Sequence, residues 1–398
     1  MNAKNSLLFI SLLLTRLADQ ILLFIVPLIV FRMSGSVAWS GVSFFVESLP
    51  RYAAFPVCGV LCDRIPPVRL IHVSQILRAL LCIAGAGGFL LFGGIGWVIG
   101  MSAGAGILTT QGFMAREAML PQYFHQDEYR KILSYTQIAD QLGTVIGPLA
   151  AGALLIVWSW QIIVAAAAAI FVLSDIMFSQ WRKRCGDKEV LANRADGVFK
   201  PYLVATQHIV RIPGLLELIV LASGVNLVVG VTLATSAAMF SGVYAQSTSA
   251  YAWLQMGGAV ATVVVLTFVA HVRLRAWVSG FVSYFLIVLG GLLMAWITHP
   301  LIYVAGFVLV TGFDKMFSVF IRSTRQRLIP PKDFGKTVGL IALLNNITQP
   351  LAGLFVGLFA GRLGAAMIIF ILTCCMAGIG VCLAALQLKR PAWIANAE

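Results

Sequence analysis

Apolar residues run in blocks of roughly 20, separated by short polar or glycine-rich breaks, twelve times along the chain. A block of that length matches the roughly 20 helical residues needed to cross a bilayer core of about 30 Å. The blocks lie near residues 6–31, 37–61, 71–93, 95–118, 131–157, 160–181, 214–240, 249–270, 276–297, 301–323, 335–360 and 364–387, and each predicts a transmembrane helix. The first is no cleavable signal sequence. It is too long, Arg16, Asp19 and Gln20 interrupt its middle, and no small-residue cleavage site follows.

The longest polar stretch, Trp181 to Lys200, falls between the sixth and seventh blocks. A short amphipathic segment, Pro201 to Arg211, follows and suits a helix lying along a membrane surface. This predicts a half over residues 1–181, a connection over 182–213 and a second half over 214–398. The halves look like copies. Span four ends in Arg116-Glu-Ala-Met-Leu-Pro121 and span ten in Arg325-Gln-Arg-Leu-Ile-Pro330, while Pro148-Leu149-Ala150 in span five matches Pro350-Leu351-Ala352 in span eleven. Two six-helix halves form a transporter architecture.

Composition narrows the class. Of 398 residues 60% are apolar and 11% are charged, against about a quarter charged in a soluble domain. A soluble enzyme, a nucleic-acid-binding domain and a disulfide-stapled secreted module are excluded. The net charge of +13 finds its explanation in topology. With the N-terminus inside, 22 of the 28 Lys and Arg residues fall on the inner side, and only Arg32 and Arg362 fall outside. That split is a positive-inside signature that places both termini in the cytoplasm. The seven cysteines show no metal-finger spacing and read as small packing residues.

Two motifs carry a family resemblance. The loop between spans two and three reads Gly59-Val-Leu-Cys-Asp63-Arg64-Ile-Pro-Pro-Val-Arg69. Gly59 would allow close helix approach. Asp63 would sit at a helix end, bonding a helix N-terminus or Arg116 as a gating latch. Span five holds Gly143-Thr-Val-Ile-Gly147-Pro148, where the glycines permit close packing and Pro148 gives a place to bend. Together with span count, topology and repeat, these resemble the major facilitator superfamily over essentially the whole chain. The loop departs from the usual pattern at Pro66 and Pro67, and the second half has only His271-Val-Arg273-Leu-Arg275 in its place. The short termini and modest central loop look most like bacterial siderophore and drug exporters, such as the enterobactin exporter group. Locally, Thr15 and Asp19, four residues apart in span one, resemble a metal site of bacterial ferroportin-like iron exporters, and Asp140-Gln-Leu before Gly147-Pro148 resembles span five of ferroportins. The span-seven cysteine used by animal ferroportins and a histidine inside span eleven have no counterpart.

Charges inside the membrane are costly, about 2.5–3.5 kcal/mol each on insertion scales, and mark partners or water-filled cavities. Arg16, Asp19, Glu47, Arg51, Asp140, Asp314 and Lys315 all lie deep by residue count. Arg16 and Asp19 share one face of span one, and Glu47 and Arg51 share one face of span two, which predicts a four-charge cluster. Adjacent Asp314 and Lys315 point about 100° apart, so Lys315 is expected to reach a substrate or to bind Asp314 through a neighbouring helix. Asn226, Asn345, Asn346 and Gln349 add uncharged donors and acceptors. Asp175 and Arg78 are expected nearer the inner face, as gate or snorkelling residues. Phe44, Phe45, Phe240 and Trp253 are candidate aromatic lining.

No Walker loop and no clustered catalytic residues are present, so neither enzyme activity nor a cofactor is expected. The expectation is an all-α integral membrane protein of twelve helices in two pseudo-symmetric six-helix halves, working by alternating access as a monomer in a bacterial inner membrane. It would export a small polar molecule, a siderophore first, in exchange for protons. Multidrug efflux and divalent metal export, the latter through Thr15 and Asp19, are the alternatives. No nucleic-acid partner is expected.

Overall fold

The computed structural model describes residues 3–124, 126–186, 200–271, 275–296, 299–329 and 334–388. Most of the polar connection after Trp181, the centre of the loop His271-Val-Arg273-Leu-Arg275, Pro330 and the basic pair Lys389 and Arg390 lie outside these residues. The described chain is helical: α1 (Ala3–Ser34), α2 (Val37–Ala53), α3 (Phe55–Arg64), α4 (Pro67–Phe92), α5 (Ile95–Tyr123), α6 (Gln126–Val157), α7 (Trp160–Cys185), α8 (Lys200–Arg211), α9 (Leu215–Ala237), α10 (Thr248–His271), α11 (Ala276–Ala295), α12 (Pro300–Leu328), α13 (Phe334–Asn346), α14 (Thr348–Leu363) and α15 (Ala365–Leu388). A π-helical turn, Ala238–Val243, extends α9.

Eleven helical stretches among the described residues are long and apolar enough to cross a membrane. The remaining expected span, 37–61, is carried by α2 and α3 in succession, broken at Ala54. Pro56 explains the break. It has no N–H to give, and its ring crowds the carbonyl four residues earlier. Pro350 acts the same way on span eleven, where α13 and α14 part at Ile347. The tight connection from α4 to α5 rests on Gly93 and Gly94, with φ of 68° and 88°, a left-handed region that glycine enters without strain.

The exposed surface carries many large apolar side chains, and the mostly apolar interior also holds charged and polar groups. Leu91, Phe92, Val157, Phe281 and Val381 are at least 70% exposed, while Asp19, Glu47, Gln75 and Arg78 are buried. A lipid-facing protein sorts its side chains this way, because hydrocarbon does not reject apolar groups and the interior must satisfy every polar one.

Contacts divide the chain into two compact units. The first comprises residues 1–35, 46–195 and 247–256. Here α1 packs on α6 and α7, and α4 on α5 and α7. Trp181 is fully buried within this unit, against the rings of Tyr123, Phe124 and Phe178. The second comprises residues 36–45, 196–246 and 257–398. In it α11 packs on α12, α9 on α14 and α15, and α8 on α13. The start of α2 meets α14 in this unit at a glycine seam, where a Cβ on Gly41 would fall 2.5 Å from the Gly357 nitrogen and 2.7 Å from the Gly353 oxygen.

Candidate functional site

The α4 face carrying Ser74, Gln75 and Arg78 meets α1, α5 and α7 in the first unit. Arg78 is 2% exposed and sits at the centre of a closed network. Its Nη1 donates to both Asp19 carboxylate oxygens at 3.0 and 3.1 Å, its Nη2 to Gln75 Oε1 at 3.1 Å, and its Nε to the Ser74 carbonyl at 3.1 Å. The guanidinium lies 4.6 Å from the centroid of the Phe171 ring. Thr109 Oγ1 adds a third hydrogen bond to Asp19, at 3.0 Å. Gln75 Nε2 donates to Thr15 Oγ1 at 2.6 Å and to Ser174 Oγ at 3.0 Å. The expectation that Arg78 snorkels toward the inner face is therefore corrected. The partner of Asp19 is this arginine from a helix distant in sequence.

A second pair lies alongside. Arg116 on α5 grips Asp140 on α6 with a two-pronged contact, both donors at 3.1 Å. Its guanidinium lies near the Phe113 ring, and Glu117 is 3.5 Å away. Arg116 was a candidate partner for Asp63, and its fork is instead taken by Asp140. The surroundings of Gly59 and the side chain of Asp63 lie outside what the structure describes, while Arg64 and Arg69 are exposed.

Between these pairs is a cavity of about 180 Å³, lined by Arg16, Asp19, Arg78, Arg116 and Asp140, with Phe113 and Phe178 as its aromatic walls. Arg78 and Arg116 each grip a carboxylate there with hydrogen bonds, and one lining cation has no such partner. That cation is Arg16. Its Nε is buried with no hydrogen-bond partner, and among the described residues its side chain makes no ion pair, although Asp140 and Asp19 both act on it electrostatically. The glycine motif of span five gives Arg16 its place. A Cβ on Gly143 would sit 2.6 Å from Arg16 Cγ, and one on Gly147 would sit 2.4 Å from Gln20 Cβ. These glycines let the polar residues of α1 pass close to α6. Pro148, also buried, lies inside the continuous helix α6.

The remaining candidates fall elsewhere. Glu47 and Arg51 pair with each other along the helix at 3.2 Å, and Ser102 also bonds Glu47. In place of the expected four-charge cluster, Asp19 pairs with Arg78 and Glu47 with Arg51, while Arg16 acts on Asp19 and Arg51 only electrostatically. Asp175 meets His72 at 2.8 Å. In the second unit Lys315 bonds its neighbour Asp314 directly at 2.7 Å, its long stem bridging the angle between them, and its side chain is 49% exposed. Lys315 is therefore no buried cation. Gln349 Nε2 donates to Asn226 Oδ1 at 2.6 Å, Asn345 is buried with its Oδ1 unbonded, and Asn346 bonds the Ala342 carbonyl within its helix. Trp253 is 62% exposed, and Phe240 packs on Tyr303. Neither lines the cavity.

The residues that sequence reasoning left out are Gln75, Thr109, Phe113, Phe178 and Ser174. The available signal was the i, i+3 spacing of Gln75 and Arg78 on one face of α4. A buried Asp19 also demands a buried cation from some other helix.

Known structures share this fold. A bacterial homologue of the human lysosomal transporter Spinster, inward-facing and unoccupied, matches with a TM-score of 0.70 at 14% identity, over 91% of this chain and 84% of that one. The nucleoside transporter NupG matches with a TM-score of 0.75 at 11% identity, over 96% and 99%. A peptide transporter of the POT family in complex with sulfate matches with a TM-score of 0.74 at 15% identity, over 97% and 94%. No curated protein matches the sequence. The family model described as Major Facilitator Superfamily matches residues 8–353, and with that coverage the chain belongs to the Major Facilitator Superfamily of membrane transporters.

Proposed function

We propose that this chain is a secondary exporter of a small polar anion, the class to which carboxylate siderophores belong. It works by alternating access, with residues 1–181 and 214–398 as the moving halves and 182–213 as their connection. The observation that carries the reading is Arg16, the one cation lining the cavity that no carboxylate among the described residues neutralises through a hydrogen bond. A guanidinium in such a place costs free energy unless an anion meets it, and a carboxylate matches its donor fork. A purely apolar drug would leave that charge unmatched. At about 180 Å³ the cavity is smaller than the roughly 300–1,000 Å³ pockets of drug-sized ligands. It would therefore hold one anionic arm of a larger chelator or a whole small carboxylate.

Proton exchange fits the Glu47–Arg51 pair best. Asp19 has three hydrogen bonds that hold it in place, whereas Glu47 is held by a single 3.2 Å contact to Arg51 and by Ser102. Glu47 is the acid that more easily exchanges its cation for a proton, and the inward proton gradient would then drive export.

A divalent metal cargo is the weaker reading. Both Asp19 oxygens are occupied by Arg78, and Thr15 Oγ1 is already engaged by Gln75, Ser174 and the Ser11 carbonyl. No group of three or more His, Cys, Asp or Glu side chains suited to a metal occurs among the described residues.

The test is secretion under iron limitation. Cells lacking the gene should retain siderophore. The wild-type gene should restore its release, Arg16→Gln should fail, and Arg16→Lys should restore it in part. Normal secretion in the deletion strain rejects the siderophore assignment, and full activity of Arg16→Gln rejects the anion site. Altered cell metal content with unchanged secretion would favour the metal reading.

A further inference from the structure

The internal repeat places Arg325, near the end of α12, where Arg116 stands near the end of α5, each five residues before a proline. Their surroundings differ. Arg116 is held by Asp140, eight residues before Pro148, while the position eight residues before Pro350 is Ala342. The second half keeps the arginine and lacks the acid. Arg325 is 8% exposed, its Nε and Nη1 are sealed without a hydrogen-bond partner, and it makes no ion pair among the described residues. A buried guanidinium left in this state is strongly unfavourable, because desolvation is uncompensated.

Among the described residues, the charges near it give it no internal anion. Arg322, one turn earlier on α12, is exposed and positive. The first turn of α9, which packs on α12, carries Glu217, and no ion pair joins it to Arg325. Asp314, farther along α12, is taken by Lys315. The exposed Arg211 at the end of α8 adds a further positive charge.

The helix α8 locates this end of the second unit relative to a lipid surface. Ala205 and Ile209 face inward and are buried, and Ile209 belongs to a cluster with Ile329, Leu215, Ile219 and Ile341. Ile329 is one turn beyond Arg325, so the apolar cluster that seats α8 against α13 lies one turn from this arginine. On the opposite face Leu203 and Val210, seven residues apart, are 64% and 75% exposed. A short helix that docks by one apolar edge and presents another outward, with a basic end, has the form of a helix lying in the headgroup layer. The commonest anion at that depth is a phosphodiester, and basic pockets between helices at a membrane's inner face bind anionic headgroups.

We propose that Arg325 anchors the phosphate of an anionic phospholipid at the α8–α12 corner of the second unit. Nε and Nη1 lie on different edges of the guanidinium, and each is a donor free for a phosphate oxygen. Arg322, on the same helical face, offers a second cation to the same headgroup. Because these donors are sealed in the structure, binding a headgroup requires the Arg325 stem to swing its fork toward the surface.

Purified full-length protein in micelles tests this with phosphatidylglycerol, phosphatidylcholine or inorganic phosphate added at matched ionic strength. Bound lipid is read by native mass spectrometry and stability by thermal unfolding. The wild type should retain phosphatidylglycerol in preference to phosphatidylcholine and melt higher with it. Arg325→Gln should weaken that retention about tenfold, as loss of a charged hydrogen bond does. Arg325→Lys should keep part of it, and Arg184→Gln, an exposed cation in the first unit, should keep it all. Unchanged retention in Arg325→Gln overturns the site. Stabilisation by inorganic phosphate equal to that by phosphatidylglycerol overturns the lipid assignment. If Arg325→Gln does not fold, the wild type and Arg325→Lys decide, and a wild type without preference for the anionic lipid refutes the proposal.

Discussion

Replacing Asp19 by Asn removes the anion from the most buried ion pair of the first unit while keeping its shape. Arg78 would then keep its bonds to Gln75 and Ser74 and its place on Phe171, with its charge unbalanced. Breaking a buried pair from one side costs about 3–5 kcal/mol. The substituted amide can still accept one hydrogen bond from Arg78 Nη1, which recovers about 1 kcal/mol and places the expected loss near the lower end of that range. The reverse change, Arg78→Gln, should cost less. Asp19 would keep the Thr109 hydroxyl, and Arg16 already acts on it electrostatically across the cavity. In the double variant neither charge remains, so the penalties should not add, and a coupling of about 2 kcal/mol or more is expected, within the range for residues in direct contact. Reversible unfolding in mixed micelles, run on wild type, both single variants and the double, measures all three quantities. A loss below about 1 kcal/mol for Asp19→Asn, or additive losses in the double variant, would refute the claim that this pair is a buried, mutually dependent unit.

Three further outcomes follow from particular contacts. Gly41→Ala places a methyl group against the α14 backbone, which cannot rotate away, and should lower stability by about 1–3 kcal/mol, whereas Gly87→Ala meets nothing within 4 Å and should be neutral or stabilising; equal melting temperatures would contradict the seam. Trp181→Ala empties a fully buried site walled by three aromatic rings and should cost about 3–5 kcal/mol in the same unfolding assay. A cytoplasmic reporter fused after residue 190 should be active and one fused after residue 245 inactive, and the opposite result at either point would reverse the expected topology.

Much of the architecture is written in local pattern. Runs of about 20 apolar residues predict helices whatever their neighbours, since a backbone in hydrocarbon must satisfy its own hydrogen bonds. The eleven long spans follow from that rule, and the amphipathic pattern after residue 200 predicts α8. The two interruptions, at Ala54 and Ile347, were signalled by Pro56 and Pro350, although apolar content alone concealed them. Glycines at 143 and 147 announced a close approach, but the approaching residues, Arg16 and Gln20, came to light only in three dimensions.

The charge pairs divide along the same line. Helical periodicity decides which residues of one helix share a face, and the Glu47–Arg51 pair is of that local kind. Asp19 pairs with Arg78 across 59 residues of chain, and Arg116 with Asp140 across 24, because α1 packs near α4 and α5 against α6. Nothing in the spacing of a single helix names the helix it will face. The sequence by itself determined a many-span membrane protein with charges buried at a cost. Only tertiary packing decided which of those charges cancel and that Arg16 and Arg325 are left over, since cancellation depends on distances between helices that no local pattern encodes.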